Sequence, residues 1–365
     1  MRPYSPLRHA GALLVKRRPL HLTFFVTRRC DARCPFCFSR GRRAPEAPEL
    51  SAAEIARLAP TVGPLLWLAF SGGEPTLRDD LPEIAAILAR RCRPVFVLLS
   101  TNGLDPARTV AATRELLAAA PRSTVAVKLS LDGPAELHDR LRGVPGAHAR
   151  VLESLALLRE VAAGEPRLEI GVNTVLCAAN QSAVEEVFAE VARLNGVRTH
   201  TLSLVRGELP DPALGAVDAR RYREAAEALT RGLQQGSQPR YRFAGARLKA
   251  AQDVLQRRLI AETLARRERV IPCHAGRLNL VLDERGELFP CEDFSLRLGN
   301  VREHGLDVRA TAASPRGRAV LALIARGECW CTHECTMMTN ILFTPRHWPA
   351  LAREYFRQPG SLGRP

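Results

Sequence analysis

Lysine is almost missing from this chain of 365 residues: Lys16, Lys128 and Lys249 are the only three, although Lys and Arg together number 53. The formal net charge of +15 therefore sits on arginines spread along the whole sequence. That spread reads as compositional bias rather than a nucleic-acid stripe, and local clusters such as Arg40-Gly41-Arg42-Arg43 and Arg266-Arg267 read as solvated faces. Nucleic acid is not expected as a partner; anionic substrates fit the charge. Long apolar runs are missing too. Nothing approaches the roughly 18–20 uninterrupted apolar residues of a membrane helix, and Leu13-Leu14-Val15 is cut by Lys16-Arg17-Arg18 before a signal-peptide core develops. No membrane partner and a cytoplasmic location are the expectations. Internal repeats and low-complexity tracts are also absent. A hydrophobic share of 46% with 25% charged residues is that of a globular protein, and at roughly 100–200 residues per domain the length predicts two or three domains.

Between residues 20 and 210, short β-branched runs alternate with longer Ala/Leu/Arg stretches at helical spacing, the mark of a parallel α/β sheet. Strands are expected at 20–26, 65–70, 95–100, 125–131, 168–175 and 197–205, with helices at 51–58, 81–91, 109–119, 147–163 and 182–194. Ser51 and Glu54 form a capping box at the first of these helices. Six such units predict a partial (β/α)6 TIM-like barrel, and folds of this kind carry their chemistry at the C-terminal strand ends. Residues 1–19 are an N-terminal segment, 211–272 a helical bridge, 273–345 a cysteine-rich extension and 346–365 a tail with no recognisable function. Within the extension a hairpin is expected, 278–282 and 287–291 around Asp283-Glu284-Arg285-Gly286.

Ten cysteines in such a chain argue against disulfides, because cytosolic thiols stay reduced, and their spacing argues for metal. Cys30, Cys34 and Cys37 follow the first strand in one loop and can hold three corners of a cubane, leaving its fourth iron open. Structural zinc prefers four ligands and a CxxC knuckle. Ser71-Gly72-Gly73-Glu74-Pro75 follows the second strand: two glycines permit close backbone approach, and Glu74 can accept hydrogen bonds from an ammonium. Ser100-Thr101-Asn102-Gly103 and Ser130-Leu131-Asp132-Gly133 end the third and fourth strands. Later, Cys273 and Cys291 flank the hairpin, and Cys329-Trp330-Cys331-Thr332-His333-Glu334-Cys335 returns after a connector.

CxxxCxxC with Phe36 before its last cysteine, followed one strand later by the GGEP segment, resembles the radical SAM superfamily over about residues 20–345. The resemblance implies a [4Fe-4S] cluster on Cys30, Cys34 and Cys37 whose open iron takes S-adenosyl-L-methionine; reductive cleavage then yields a 5′-deoxyadenosyl radical that abstracts a substrate hydrogen. It also implies contacts to that cofactor: Phe36 near the adenine, Gly72, Gly73 and Glu74 at the methionine amino group, Ser130 and Asp132 at the ribose and carboxylate, and Asn102 beside them. Arg142-Gly143 resembles the RG of relatives with a second cluster domain, and Asn173 matches a polar position on the fifth strand. A β-branched residue at Gly73 is expected to block cofactor binding while the cluster survives. His138 reads as structural, and Cys92 and Cys177 are left unassigned.

Cys273, Gly286 and Cys291 resemble the first half of a SPASM or shorter twitch extension, which binds auxiliary iron–sulfur clusters. Five cysteines suffice for one auxiliary [4Fe-4S] cluster but not two. Which of Cys329, Cys331 and Cys335 is spare stays open, as does a zinc hairpin using His274 or His333. The resemblance implies a radical SAM oxidoreductase or maturase served by a flavodoxin- or ferredoxin-like electron donor. Its substrate is a peptide or protein, or else a small carbohydrate-like or natural-product metabolite undergoing dehydrogenation. Residues 1–20 are too few for a leader-binding domain. A zinc-stabilised nucleic-acid-binding protein is the distant alternative.

Overall fold

The computed structural model describes residues 3–41, 47–241, 243 and 245–358, so Arg42 and Arg43 of the arginine cluster lie outside the described residues. Six strands and seven helices alternate first: β1 (His21–Thr27), α1 (Phe38–Gly41), α2 (Ala52–Val62), β2 (Trp67–Gly72), α3 (Leu81–Cys92), β3 (Phe96–Thr101), α4 (Pro106–Ala119), β4 (Thr124–Ser130), α5 (Ala135–Arg142), α6 (Ala147–Gly164), β5 (Leu168–Leu176), α7 (Val184–Arg193) and β6 (Thr199–Leu204). The strands run parallel in the order β6-β5-β4-β3-β2-β1, an open half-barrel. All six expected strands and their five helices are present. Helix α2 runs past its expected end, through Pro60 to the buried Val62. The short, polar α5 was not foreseen.

Side chains alternate across the sheet with a period of two. Leu22, Phe24, Val26, Leu68, Phe70, Val97, Leu99, Val125, Val127, Leu129, Ile170 and Val172 face the helices and form one core with Ile84, Leu88, Leu116, Leu155 and Leu158. Full burial of each such side chain is worth roughly 1.5–3 kcal/mol, so this layer drives closure. The opposite face is different. Thr23, Ala69, Leu98, Ala126 and Glu169 form one row in register, Ser100, Lys128, Gly171 and Thr199 the next, and Ser130, Asn173 and Thr201 the third. A closed TIM barrel fills such rows with Val, Ile and Leu; here small and polar residues leave the interior hollow.

The bridge is two helices, α8 (Ala219–Gln235) and α9 (Ala246–Arg266), the first ended by Gly236 at φ +82°. Next come β7 (Asn279–Leu282), β8 (Glu287–Phe289) and β9 (Gly299–Asn300), and then α10 (Val308–Ala312), α11 (Pro315–Arg326), α12 (Glu334–Leu342) and α13 (Trp348–Arg357). The expected hairpin is present, and β7 also pairs parallel with β1, so the extension continues the barrel sheet to nine strands. Helix α13, within the tail that had no assigned role, packs on α9: Leu351 joins a second core with Leu255, Ile260, Tyr222 and Ile341, and Glu354 pairs with Arg258 at 2.9 Å. No helix among the described residues is long and apolar enough to cross a membrane.

The capping box forms as expected, with Glu54 Oε2 accepting from Ser51 N–H at 2.9 Å. Glu54 is also gripped by Arg302 from the extension, at 2.6 Å to Oε1. That guanidinium holds the Glu54 pKa down at about 2, against an ordinary 4.5. Because the folded value is the lower one, the stabilisation is complete above about pH 4.5 and is lost as pH falls toward about 2. Glu54→Gln is accordingly expected to lower stability at neutral pH and to flatten the acid limb of a Tm-versus-pH profile. An unchanged acid limb would remove the pair from the account.

Candidate active site

A cavity of about 1040 Å³ occupies the barrel interior, with Cys30, Cys34, Phe36 and Cys37 in its wall beside Gly72, Gly73, Asn102, Ser130, Arg142 and Asn173. The cysteine loop leaves β1 and is held from three sides. Behind it, Gly73 N–H donates to Thr27 O at 2.7 Å and Glu74 N–H to Arg29 O at 2.8 Å. Gly72 has φ +130°, and a Cβ there would lie 2.4 Å from Thr27 O. At Gly73 a Cβ would lie 2.2 Å from Arg29 O and 2.7 Å from Arg28 O. The glycine pair thus lets β2 touch the backbone of the cysteine loop itself.

From the side, Asn102 donates through Nδ2 to Asp31 Oδ1 at 2.6 Å and approaches Cys30 Sγ at 3.9 Å. Glu74 is buried and does not line the cavity. Its Oε1 accepts from Thr76 N–H (3.1 Å), the Thr76 hydroxyl (2.8 Å) and the Thr101 hydroxyl (2.9 Å), and its Oε2 from Asn102 N–H (2.7 Å). Burial raises its pKa while these donors pull it back. In this arrangement the carboxylate ties the loop after β2 to the end of β3.

From the third side, Arg142 Nη1 lies 3.8 Å from Cys34 Sγ, and the Arg142 carbonyl accepts from Arg33 N–H at 2.8 Å. Gly143, at φ +65°, passes so close that a Cβ would sit 2.9 Å from Arg33 O. Phe36 packs under the Arg142 guanidinium, its ring centroid 5.6 Å away. Asp132 stands behind the cavity wall as the ion-pair partner of Arg142, and its Oδ1 accepts from Val175 N–H at 2.8 Å. His138 accepts from Asp132 N–H and is buried, as a structural residue would be. On the wall, Ser130 donates to Thr101 O at 3.3 Å and Asn173 accepts from Ser203 at 2.8 Å.

The C-terminal thiols divide. Cys273, Cys291 and Cys329 share an apolar cluster with Ala275 and Ile324. Cys331 lies within electrostatic range of Cys273, Cys291 and Cys329. Cys335 instead lines the central cavity, in range of Lys128, Arg206 and His333. The rings of His274 and His333 are engaged elsewhere, with Thr344 at 2.9 Å and with Glu292 at 3.1 Å. Among the described residues no three His, Cys, Asp or Glu side chains are drawn together as the cage of a single metal ion. The donors on offer to iron–sulfur clusters are three thiols on one loop and, in the extension, three in one apolar cluster with Cys331 within electrostatic range. Cys92 and Cys177 are buried in the cores as small hydrophobes.

One network escaped sequence reasoning. Arg206, just past β6, bonds Glu292 through Nε and Glu334 through Nη1, each at 2.9 Å, and Glu334 Oε1 accepts from Leu204 N–H at 3.0 Å. Burial works to lower the His333 pKa, but the Glu292 carboxylate holds it up at about 10. The signal available was an arginine at a C-terminal strand end and two glutamates adjoining cysteines.

Residues 24–176 match the model of the radical SAM superfamily. The AdoMet-dependent heme synthase of Oleidesulfovibrio alaskensis is 31% identical over 208 residues, covering 54% of this chain and 49% of that protein. The PqqA peptide cyclase of Rhodopseudomonas palustris is 32% identical over 184 residues, 49% of this chain and 45% of that protein. The matched stretch thus spans about half the length of these relatives. Among solved structures, anSMEcpe with bound AdoMet superposes with a TM-score of 0.61 at 16% identity, covering 93% of this chain and 100% of that one. Streptococcus suis SuiB bound to S-adenosylmethionine gives 0.57 at 18%, covering 86% and 71%. These likenesses extend the common fold from the half-barrel into the C-terminal extension. The cysteine loop, the glycine pair behind it and the matched stretch thus coincide on one cavity, and over residues 24–176 the chain is similar to the radical SAM superfamily.

Proposed function

We propose that this protein is an S-adenosylmethionine-dependent radical enzyme acting on a substrate held in the barrel cavity. The observation that carries this reading is the set of three cysteines, Cys30, Cys34 and Cys37, on one loop in the wall of a hollow half-barrel. When bound, the cluster and its cofactor supply a 5′-deoxyadenosyl radical that abstracts hydrogen. The chain's own residues hold and shield that site. Arg142 sets positive charge beside Cys34, Asn102 steadies Cys30 and Asp31, and Asp132 and Glu74 act from behind the wall, through Arg142 and Asn102. Ser130, Asn173 and Phe36 supply the polar and aromatic contacts at the cavity rim. Protein reconstituted anaerobically with iron and sulfide should form 5′-deoxyadenosine from S-adenosylmethionine and dithionite; no product would sink the reading.

An auxiliary [4Fe-4S] cluster on Cys273, Cys291, Cys329 and Cys331 completes the proposal, with Cys335 as the spare thiol. An electron acceptor there suits a net oxidation, in which a substrate radical loses a proton and then an electron. Two four-iron clusters give about eight irons per chain. Cys331→Ala is expected to retain about half of them, whereas Cys335→Ala keeps the full complement. Equal losses in the two variants would undo this division of the thiols.

Among relatives, one is by name a heme synthase and another a peptide cyclase. Peptide or protein modification is the leading substrate class, served by a flavodoxin- or ferredoxin-like electron donor. A small metabolite is the second reading, favoured by the cavity: about 1040 Å³ lies near the upper end of the roughly 300–1,000 Å³ typical of small-molecule sites.

A further inference from the structure

Lys128 stands in the hollow of the barrel. It lies on the inner face of β4, in register with Ser100, Gly171 and Thr199, one row beneath Ser130. Two residues along a strand separate the rows by roughly 7 Å. Its side chain crosses β5 to reach β6, where Nζ donates to Thr201 Oγ1 at 2.7 Å and to Thr199 Oγ1. The crossing requires Gly171: a Cβ there would lie 2.3 Å from Thr199 Oγ1 and 2.9 Å from Lys128 Cδ. Gly171 is not among the glycines with positive φ, so the backbone does not demand glycine at this point. The passage of the lysine does.

The ammonium lines the cavity, and the accessible part of the side chain faces that interior. Among the described residues its hydrogen-bond partners are the two hydroxyls and no carboxylate. Asp253, the acid across the cavity on α9, is taken by Lys249 and by Tyr241 at 2.6 Å. Glu169 lies one row deeper on β5. A half-buried ammonium whose hydrogen bonds go to hydroxyls alone is costly, and its most direct complement is an anion from outside the chain.

We infer that Lys128 anchors a carboxylate of the substrate, holding it beneath the cofactor end of the cavity. The inference deepens, and rests on, the radical-enzyme reading above. One ammonium balances one negative charge. A phosphate dianion would bring a second charge into a space already bordered by Glu169 and Asp253. Thr199 and Thr201 accept from Nζ, so their own protons are free to turn toward the second oxygen of a carboxylate. The choice of lysine is itself informative, because it is one of three in a chain with 53 cationic residues. A compact ammonium fits the gap over Gly171, where the broad planar guanidinium of arginine does not. Burial, and Lys249 nearby, push the Lys128 pKa down to about 7, while Asp253, Glu169 and Cys335 act to raise it. An arriving carboxylate would favour the charged form.

Three lysines make the test direct. Biosynthetic incorporation of ¹³Cε-lysine into the full chain labels Lys16, Lys128 and Lys249 without altering their ammonium groups, and loss of one NMR signal in Lys128→Met assigns Lys128. Glutarate should shift the Lys128 signal saturably, while neutral glutaramide leaves it in place. A blocked pentapeptide with one central glutamate tests a peptide-borne carboxylate, and a response to glutarate alone would assign the anchor to a free acid. Gly171→Ala keeps the ammonium but obstructs its path, and should weaken binding about tenfold. If Lys128 responds to neither carboxylate, or responds equally to glutaramide, the inference is wrong. The radical reading is tested separately. Absent cofactor cleavage with an intact glutarate response overturns that reading alone, and cleavage without the response overturns the anchor alone.

Discussion

Replacing Cys30, Cys34 and Cys37 together by alanine is expected to abolish 5′-deoxyadenosine formation while about half of the iron, that of the C-terminal cluster, remains. The separation follows from where the thiols sit. The first three share one loop after β1, whereas Cys273, Cys291 and Cys329 gather around Ala275 and Ile324 in the extension, with Cys331 within electrostatic range of them. Alanine removes each ligand without adding bulk, and the loop keeps its tethers to Gly73, Glu74 and Arg142 through backbone groups. Loss of activity in this variant is therefore a loss of donors rather than of fold. Residual cofactor cleavage above the level of free dithionite would show that the radical site lies elsewhere.

The half-barrel was legible because its physics is local. Runs such as Phe96–Thr101 and Thr124–Ser130 are β-branched and short, and helices such as Leu81–Cys92 carry apolar residues at helical spacing between them. What the sequence did not disclose depends on contacts distant in the chain. Continuation of the sheet through β1 and β7 joins residues some 250 positions apart by backbone pairing, which leaves no side-chain signature. Helix α5 is too short and polar to announce itself, yet it carries Arg142 to Cys34. The three candidate thiols of the last segment were equivalent on paper; in the structure Cys329 packs beside Ile324 and Cys335 lines the cavity.

The candidate site shows the same division. Residue types were readable, but the direction in which each side chain points was not. The resemblance placed Glu74 at the methionine amino group and Asp132 at the ribose and carboxylate of the cofactor. In the structure both are turned into the protein, one to Arg142 and the other to Thr76, Thr101 and Asn102. Each holds a neighbouring side chain or loop in place: Asp132 that of Arg142, Glu74 that of Asn102. Lys128, conversely, gave no motif at all. Its significance depends on a hollow lined by Ala69, Ser100 and Ala126 on three different strands, and on the space left by Gly171 on a fourth.

Gly73→Val is expected to prevent assembly of the N-terminal cluster as well as cofactor binding. The sequence reading assigned the space at Gly73 to the cofactor, which would leave the cluster intact. The geometry assigns it to the chain. A Cβ at this position would lie 2.2 Å from Arg29 O and 2.7 Å from Arg28 O, both of them backbone atoms immediately before Cys30. No rotamer relieves a clash that begins at Cβ, and the valine methyls extend it. The loop must therefore retreat, and with it go the hydrogen bonds from Gly73 N–H to Thr27 O and from Glu74 N–H to Arg29 O. Cys30 moves with the loop, while Cys34 stays with Arg142, so the three thiols no longer share one spacing. Reconstituted Gly73→Val protein should hold about four irons instead of about eight, all on the C-terminal thiols. Gly73→Ala should show the same loss in milder form, because it carries the Cβ without the branch. A full complement of iron in Gly73→Val, with cofactor binding alone abolished, would return the glycine to the cofactor.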